Sequence, residues 1–176
     1  MSSNPPEGGS PADLGSSPLP PPGPDDHVRG SGPVVIEYAD FECPYCAKAH
    51  VRLADLELSR VFRHFPVASK HPRARALAHA AEAAALQGAF WEFHDSLFED
   101  QGRLDDPHLW ERCRHLGLDL ERFERDRRSD AVADRVMRDF RSGIRAGVAT
   151  TPTLFVEGQA FPGVPDETLL SALRVA

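Results

Sequence analysis

Cys43-Pro44-Tyr45-Cys46 sets two thiols three positions apart, just downstream of the strand-like run Val34-Val35-Ile36-Glu37-Tyr38. The spacing and the composition that follows predict a helix beginning near Cys43. The first turn of a helix has free N–H groups that favour negative charge, and the thiolate, not the thiol, is the nucleophile. An ordinary cysteine, with pKa about 8.5, is only a few per cent ionised at neutral pH, whereas one at about 7 is half ionised. The helix end alone supplies about 0.3–2 kcal/mol, at most about 1.5 pKa units. A larger shift needs N–H bonds to the sulfur and help from a second thiol. The CxxC spacing supplies that thiol and lets the pair close a disulfide, which points to a redox dithiol.

No metal is expected. Cys43, Cys46 and His50 have the spacing of half a zinc site, but a structural site takes four ligands, and the sequence has no second CxxC and no HxxxH. Cys113, with Leu109 and Leu116 at i−4 and i+3, reads as a buried thiol on a helix core face. Trp91, Phe90 and Phe98 likewise read as core. His64 and His71 flank the end of a second strand and receive no site role.

The elements around the dithiol follow from pattern. Residues 27–29 form a short edge strand before a turn at 30–33. Residues 34–38 are nearly all apolar, as in a strand covered on both faces. A helix is expected over about 43–58 and a second strand over 61–65, stopped by Pro66. From 72 to about 147 the pattern is helical, with breaks at Gly88 and Gly117, an N-cap at Asp119, a restart at Ser129 or Asp130, and an end at Gly147. Two further strands, Thr153 to Val156 and Gln159 to Phe161, flank Glu157-Gly158 as a hairpin, and a last helix opens at Pro165. The domain reading is a Pro/Gly/Ser-rich disordered tail over 1–26 and one α/β domain over 27–176, carrying a helical insertion at about 72–147.

Composition sets the bounds. A chain of 176 residues holds one domain with a real core. The net charge is −7, and Glu7, Asp13, Asp25 and Asp26 lie in the first 26 residues without a basic side chain. A weakly acidic folded part excludes nucleic acid and anionic membrane as expected partners. No apolar run approaches the roughly 18 residues of a membrane span, and the N-terminus has no basic start or apolar stretch of an export signal. A cytoplasmic location without membrane insertion is therefore expected.

With these residues in view, the chain resembles a known family. The order of elements, the dithiol after the first long strand and Thr151-Pro152 before the hairpin resemble the thioredoxin fold, a mixed β-sheet flanked by helices. The inserted helices are similar to those of DsbA-like thiol–disulfide oxidoreductases. The stretches EYADFECPYC, FRHFP, HPRA, QGAFWEFHDSLFED and GVATTPTLFVEG resemble the bacterial subgroup found alone or appended to sodium/proton antiporters. The resemblance implies that Cys43 is the nucleophile and Cys46 the shielded resolving thiol. It also implies that Pro152 is a cis-proline facing them, and that the Thr151 backbone pairs with an extended substrate alongside Pro44 and Tyr45. Glu37, six residues before Cys43, matches the place of a buried acid that takes the Cys46 proton. Pro44-Tyr45 is the dipeptide of glutaredoxins, where the strongly oxidising members carry Pro-His. The implied potential is on the order of −200 mV.

The expected activity is disulfide exchange with protein substrates. The only redox group is the Cys43–Cys46 disulfide, with no further cofactor, and a thiol such as thioredoxin or a low-molecular-weight thiol supplies electrons. In a reducing cytoplasm the net direction is reduction. The alternative is a redox-sensing module acting on one partner, such as a transporter.

Overall fold

The computed structural model describes residues 18–175. Five strands form one sheet: β1 (His27–Arg29), β2 (Val34–Ala39), β3 (Ser59–His64), β4 (Thr153–Val156) and β5 (Gln159–Pro162). Their order across the sheet is β1-β3-β2-β4-β5. β2 and β3 run parallel, with Glu37 opposite Phe62, and β1, β4 and β5 add antiparallel. The parallel pair is joined by a crossover through α1 (Pro44–Leu53), as parallel strands require. α2 (Ala74–Ala85), α3 (Phe90–Glu99), α4 (Asp106–His115), α5 (Leu120–Asp126) and α6 (Asp130–Arg145) lie between β3 and β4, and α7 (Glu167–Val175) ends the described chain. This is the expected α/β thioredoxin fold with an all-helical insertion.

The insertion's punctuation follows local chemistry. The Asp119 carboxylate accepts from the N–H of Arg122 at 2.9 Å and Ser129 Oγ from that of Val132 at 3.3 Å, capping α5 and α6. Gly88, Gly117 and Gly147 take positive φ of 78°, 68° and 83° after α2, α4 and α6, a conformation L side chains avoid. Gly143 serves packing instead. A Cβ there would meet Phe65 at 2.7 Å and Tyr38 at 2.9 Å, so its absence lets α6 approach the sheet.

Three apolar clusters result. Ile36, Tyr38, Val61, Phe65 and Phe155 pack with Phe140 of α6 on one sheet face. Val35 and Leu154 pack with Leu53 of α1 and with α7 on the other. The largest cluster joins Ala39, Phe62 and both cysteines of the dithiol to α2, α3, α4 and α5. The insertion thus roofs the dithiol end of the sheet.

Two boundaries differ from the pattern-based expectation. α1 stops at Leu53, not near residue 58, because Leu56 and Leu58 turn into the α7-side cluster. β3 starts at Ser59, whose N–H donates to Pro33 O at 3.0 Å. Residues 1–17 of the proposed tail lie outside the described residues. The remainder, up to Asp26, lies against the domain: Arg63 donates to Pro20 O, Pro21 O and both Asp26 oxygens at 2.8–3.1 Å, and Leu19 packs on the α6-side cluster.

Candidate active site

β2 ends at Ala39, and Asp40-Phe41-Glu42 carry the chain to Cys43, the N-cap of α1, with Pro44 in the first turn. Pro there lacks an N–H the helix would leave unpaired anyway. The Asp40 carboxylate fixes the turn. It accepts from the N–H of Glu42 and of Val67, both at 2.9 Å, and from His71 Nδ1 at 2.8 Å. Its backbone N–H reaches Cys46 Sγ at 3.5 Å. From the insertion, Gln101 Nε2 donates to Phe41 O at 2.8 Å and Cys43 O at 3.0 Å. The dithiol therefore sits on a turn tied down from both sides.

Both cysteines are free thiols, 3% and 0% exposed for Cys43 and Cys46, and their acidities are pushed apart. Cys43 falls to about 5. The main cause is the hydrogen bond from the Cys46 thiol, aided by the Thr151 side chain and the N–H groups of Cys46 and Tyr45, against the opposing effect of burial. The Thr151 carbonyl also accepts from Cys43 Sγ at 3.4 Å; that contact favours the protonated thiol, so the downward shift comes from the donors. Burial pushes Cys46 well above the usual thiol range, with contributions from Cys43 and from the charge of Glu37. One sulfur is thereby ready to attack while the other holds its proton.

The remaining expected residues gather here. The Thr151–Pro152 peptide is cis and precedes β4, and Thr151 is buried against Cys43. Pro44 and Tyr45 are exposed beside the dithiol, and Lys48 Nζ lies 5.4 Å from the Tyr45 ring centre. Glu37 is buried at 2% exposure, with Oε2 accepting from Arg60 Nη2 at 2.9 Å and Oε1 unpartnered. Cys113 is fully buried in α4, where burial raises it to about 11.

Sequence reasoning left out several neighbours. Asp40 is the middle of three acids in EYADFEC, and its position just before the dithiol was a usable signal. Arg60 carried none, because arginine in a strand reads as solvent-facing. His71 joins Asp40, whereas His64 pairs with Glu82 at 2.7 Å, a carboxylate that also holds His27 at 2.6 Å. The two groups whose spacing fits a metal ion, among the described residues, are His27/His64/Glu82 and His50/His94/Asp95; neither includes a dithiol cysteine.

Comparison with known proteins agrees with this geometry. Residues 57–174 match the family model described as a DSBA-like thioredoxin domain. The chain is 43% identical over 155 residues to the Na(+)/H(+) antiporter NhaA 3 of Salinispora tropica and 42% identical over 160 residues to the Na(+)/H(+) antiporter NhaA of Herminiimonas arsenicoxydans. These matches cover 84% and 86% of this chain but 24% and 25% of those proteins. The chain spans about a quarter of the length of the curated relatives it matches. Among solved structures, a thioredoxin-like oxidoreductase from Silicibacter pomeroyi DSS-3 superposes with TM-score 0.75 at 28% identity, covering 86% of this chain and 91% of that one. The thiol-disulfide exchange protein alpha-DsbA2 from Wolbachia pipientis shares the fold with TM-score 0.71 at 20% identity, covering 82% and 80%. No helix among the described residues is long and apolar enough to cross a membrane.

Proposed function

Because this chain belongs to the DSBA-like thioredoxin domain family and begins a helix with a strongly acidified thiol, we propose that it is a thiol–disulfide oxidoreductase exchanging disulfides with protein substrates. The observation that carries the reading is Cys43 at the α1 N-cap, lowered to about 5 beside a Cys46 that stays protonated. At neutral pH Cys43 is a thiolate. It attacks a substrate disulfide, forming a Cys43–substrate bond and releasing one substrate thiolate. Cys46 then passes its proton to Glu37 and attacks Cys43 Sγ. The mixed disulfide breaks, the second substrate sulfur leaves reduced, and the Cys43–Cys46 disulfide forms. Two electrons have moved from the dithiol to the substrate.

Pro44, Tyr45, Thr151 and Pro152 border the attacking sulfur and would contact the substrate backbone. A thiolate at about 5 is less acidified than the strongest oxidant of this chemistry, about 3.5, and more than thioredoxin, about 7. A potential on the order of −200 mV fits that intermediate place. In a cytoplasm buffered by thiols the dithiol then works toward reduction, re-reduced by a thioredoxin or a low-molecular-weight thiol. The test is reduction of insulin with a thiol donor: many turnovers per protein, abolished by Cys43→Ser, support the reading, and a turnover equal to the donor alone refutes it.

A second reading is favoured by one observation, that the curated relatives named above are antiporters about four times this chain's length. In it the domain is a redox-responsive module acting on a transporter. A Cys46→Ala variant that captures a single membrane protein and turns over no insulin favours the module; capture of many soluble proteins favours the oxidoreductase.

A further inference from the structure

Behind the dithiol the protein buries polar side chains that packing alone does not require. Glu37 on β2, Arg60 on β3, His50 on α1 and His94 on α3 are 2%, 5%, 7% and 0% exposed. Glu37 Oε1, Arg60 Nε and Nη1, His50 Nδ1 and His94 Nε2 are buried without a hydrogen-bond partner. A buried polar atom left unsatisfied costs about 1–3 kcal/mol, so such a concentration calls for bridging internal water, a function, or both.

The two imidazoles are held firmly. His50 lies one helical turn beyond Cys46, with its ring centre 5.4 Å from those of both His94 and Phe98. Phe41 and Phe62 meet His94 edge-on at 5.6 and 4.8 Å. His94 Nδ1 is 2.8 Å from Asp95 Oδ1. A carboxylate only accepts, so Nδ1 carries the hydrogen and the buried Nε2 is a lone pair. One polar atom from each of His50, His94 and Asp95 lies within 4.8 Å of the others, a gap that one water spans. Asp95 is the solvent end of the series. Its side chain is 31% exposed and accepts from Arg29 at 2.7 Å.

We propose that His50 and His94 are relay residues of the second half-reaction, carrying the hydrogen that Cys46 gives to Glu37 outward to Asp95 and the surface. The proposal rests on the exchange reading above and assigns the route by which a fully buried thiol loses its proton. The balance is simple. Glu37 passes the proton taken from Cys46 through bridging water to the His50 lone pair and is a carboxylate again. The His50 N–H hydrogen goes to His94 Nε2, the His94 Nδ1 hydrogen goes to Asp95, and Asp95 releases it to solvent, so each imidazole stays neutral. The departing substrate thiolate takes its proton from solvent. The charged groups acting on the pair are Glu37 from β2, Arg60 from β3, Asp95 from α3 and Arg29 from β1. His64 of β3 is occupied by Glu82 of α2. Burial, with Arg60 next in weight for His50, holds both imidazoles neutral, His94 down to about 3. A neutral ring offers one N–H and one lone pair, the form that relays without storing charge. The positive Arg60 beside them also weighs against a metal cation there.

The dithiol's reaction with 5,5′-dithiobis(2-nitrobenzoate) separates the two steps. Attack by Cys43 releases one thionitrobenzoate, and attack by Cys46 on the resulting adduct releases a second. In His50→Phe and His94→Gln the first release should stay within about twofold of wild type, and the second should slow about tenfold or more at pH 7. The second rates should converge with wild type at high pH, where hydroxide removes the Cys46 proton directly. His50→Phe keeps the stacking on Phe98 and removes an unpaired nitrogen, so a purely structural role predicts an unchanged second phase. That outcome, or equal slowing of both phases, overturns the relay. If wild type itself shows no second release, it is the exchange reading that fails.

Discussion

Cys43 and Cys113 are the same side chain, both buried, yet one thiol is lowered to about 5 and the other raised to about 11. Burial raises both. What separates them is the helix position. Cys43 is the N-cap of α1, facing a neighbouring thiol, the Thr151 side chain and the first-turn N–H groups of Tyr45 and Cys46. Cys113 lies inside α4, where the N–H groups ahead of it are already bonded within the helix, and the charge of Glu124 adds to the upward push of burial. The difference teaches that burial by itself makes a cysteine inert. Reactivity comes from donors aimed at the sulfur in a place shielded from water.

The largest expected effect on this contrast is functional. Cys43→Ser should remove insulin reduction to the level of the thiol donor alone, whereas Cys113→Ser should leave the rate within about twofold; equal loss in both would erase the distinction. Next, the rate of alkylation by iodoacetamide should inflect near pH 5 for Cys43, while Cys113 stays unreactive in the folded protein through neutral pH. An inflection for Cys43 above about 8 would place it with ordinary thiols.

The same shift sets a pH dependence of stability. The folded pKa of Cys43 lies below the ordinary thiol value of about 8.5, so the unfolded chain binds more protons between about 5 and 8.5, and stability rises with pH across that window. The contribution is complete above about 8.5 and lost as pH falls through about 5. Urea midpoints of the reduced protein, compared with Cys43→Ala over pH 5–9, should diverge in that direction. A smaller effect comes from Thr151→Ala, which removes one of the groups lowering Cys43 and should raise the alkylation inflection by no more than about one unit. The smallest is Cys113→Ala, costing about 1 kcal/mol in urea unfolding for a lost core atom, with no change in the Cys43 inflection.

Glu37 and the Thr151-Pro152 pair were reached only through the family resemblance, whereas the dithiol was legible because chemistry and position coincide in one short stretch. Caps and breaks at Asp119, Ser129, Gly117 and Gly147 were legible for the same reason, since a cap acts within four residues. The end of α1 was not. Nothing local forbids helix over 54–58, and only the α7-side core, which Leu56 and Leu58 enter, ends it. Nor was the packed end of the proline-rich segment. Arg63 is the partner that holds Pro20, Pro21 and Asp26, and it lies about forty positions away.

Sequence alone therefore determined the chemical type of the centre, two thiols three apart at the start of a helix, because spacing along one helix is a local property. Tertiary structure alone decided which groups gather around it. Thr151, Asp40 with His71, Arg60 on Glu37, and the buried His50–His94 pair come from separate strands and helices. Charges and hydrogen bonds act over a few ångströms of space, whatever the distance along the chain, so their effect on the sulfurs appears only once the sheet and the helical insertion have closed around them.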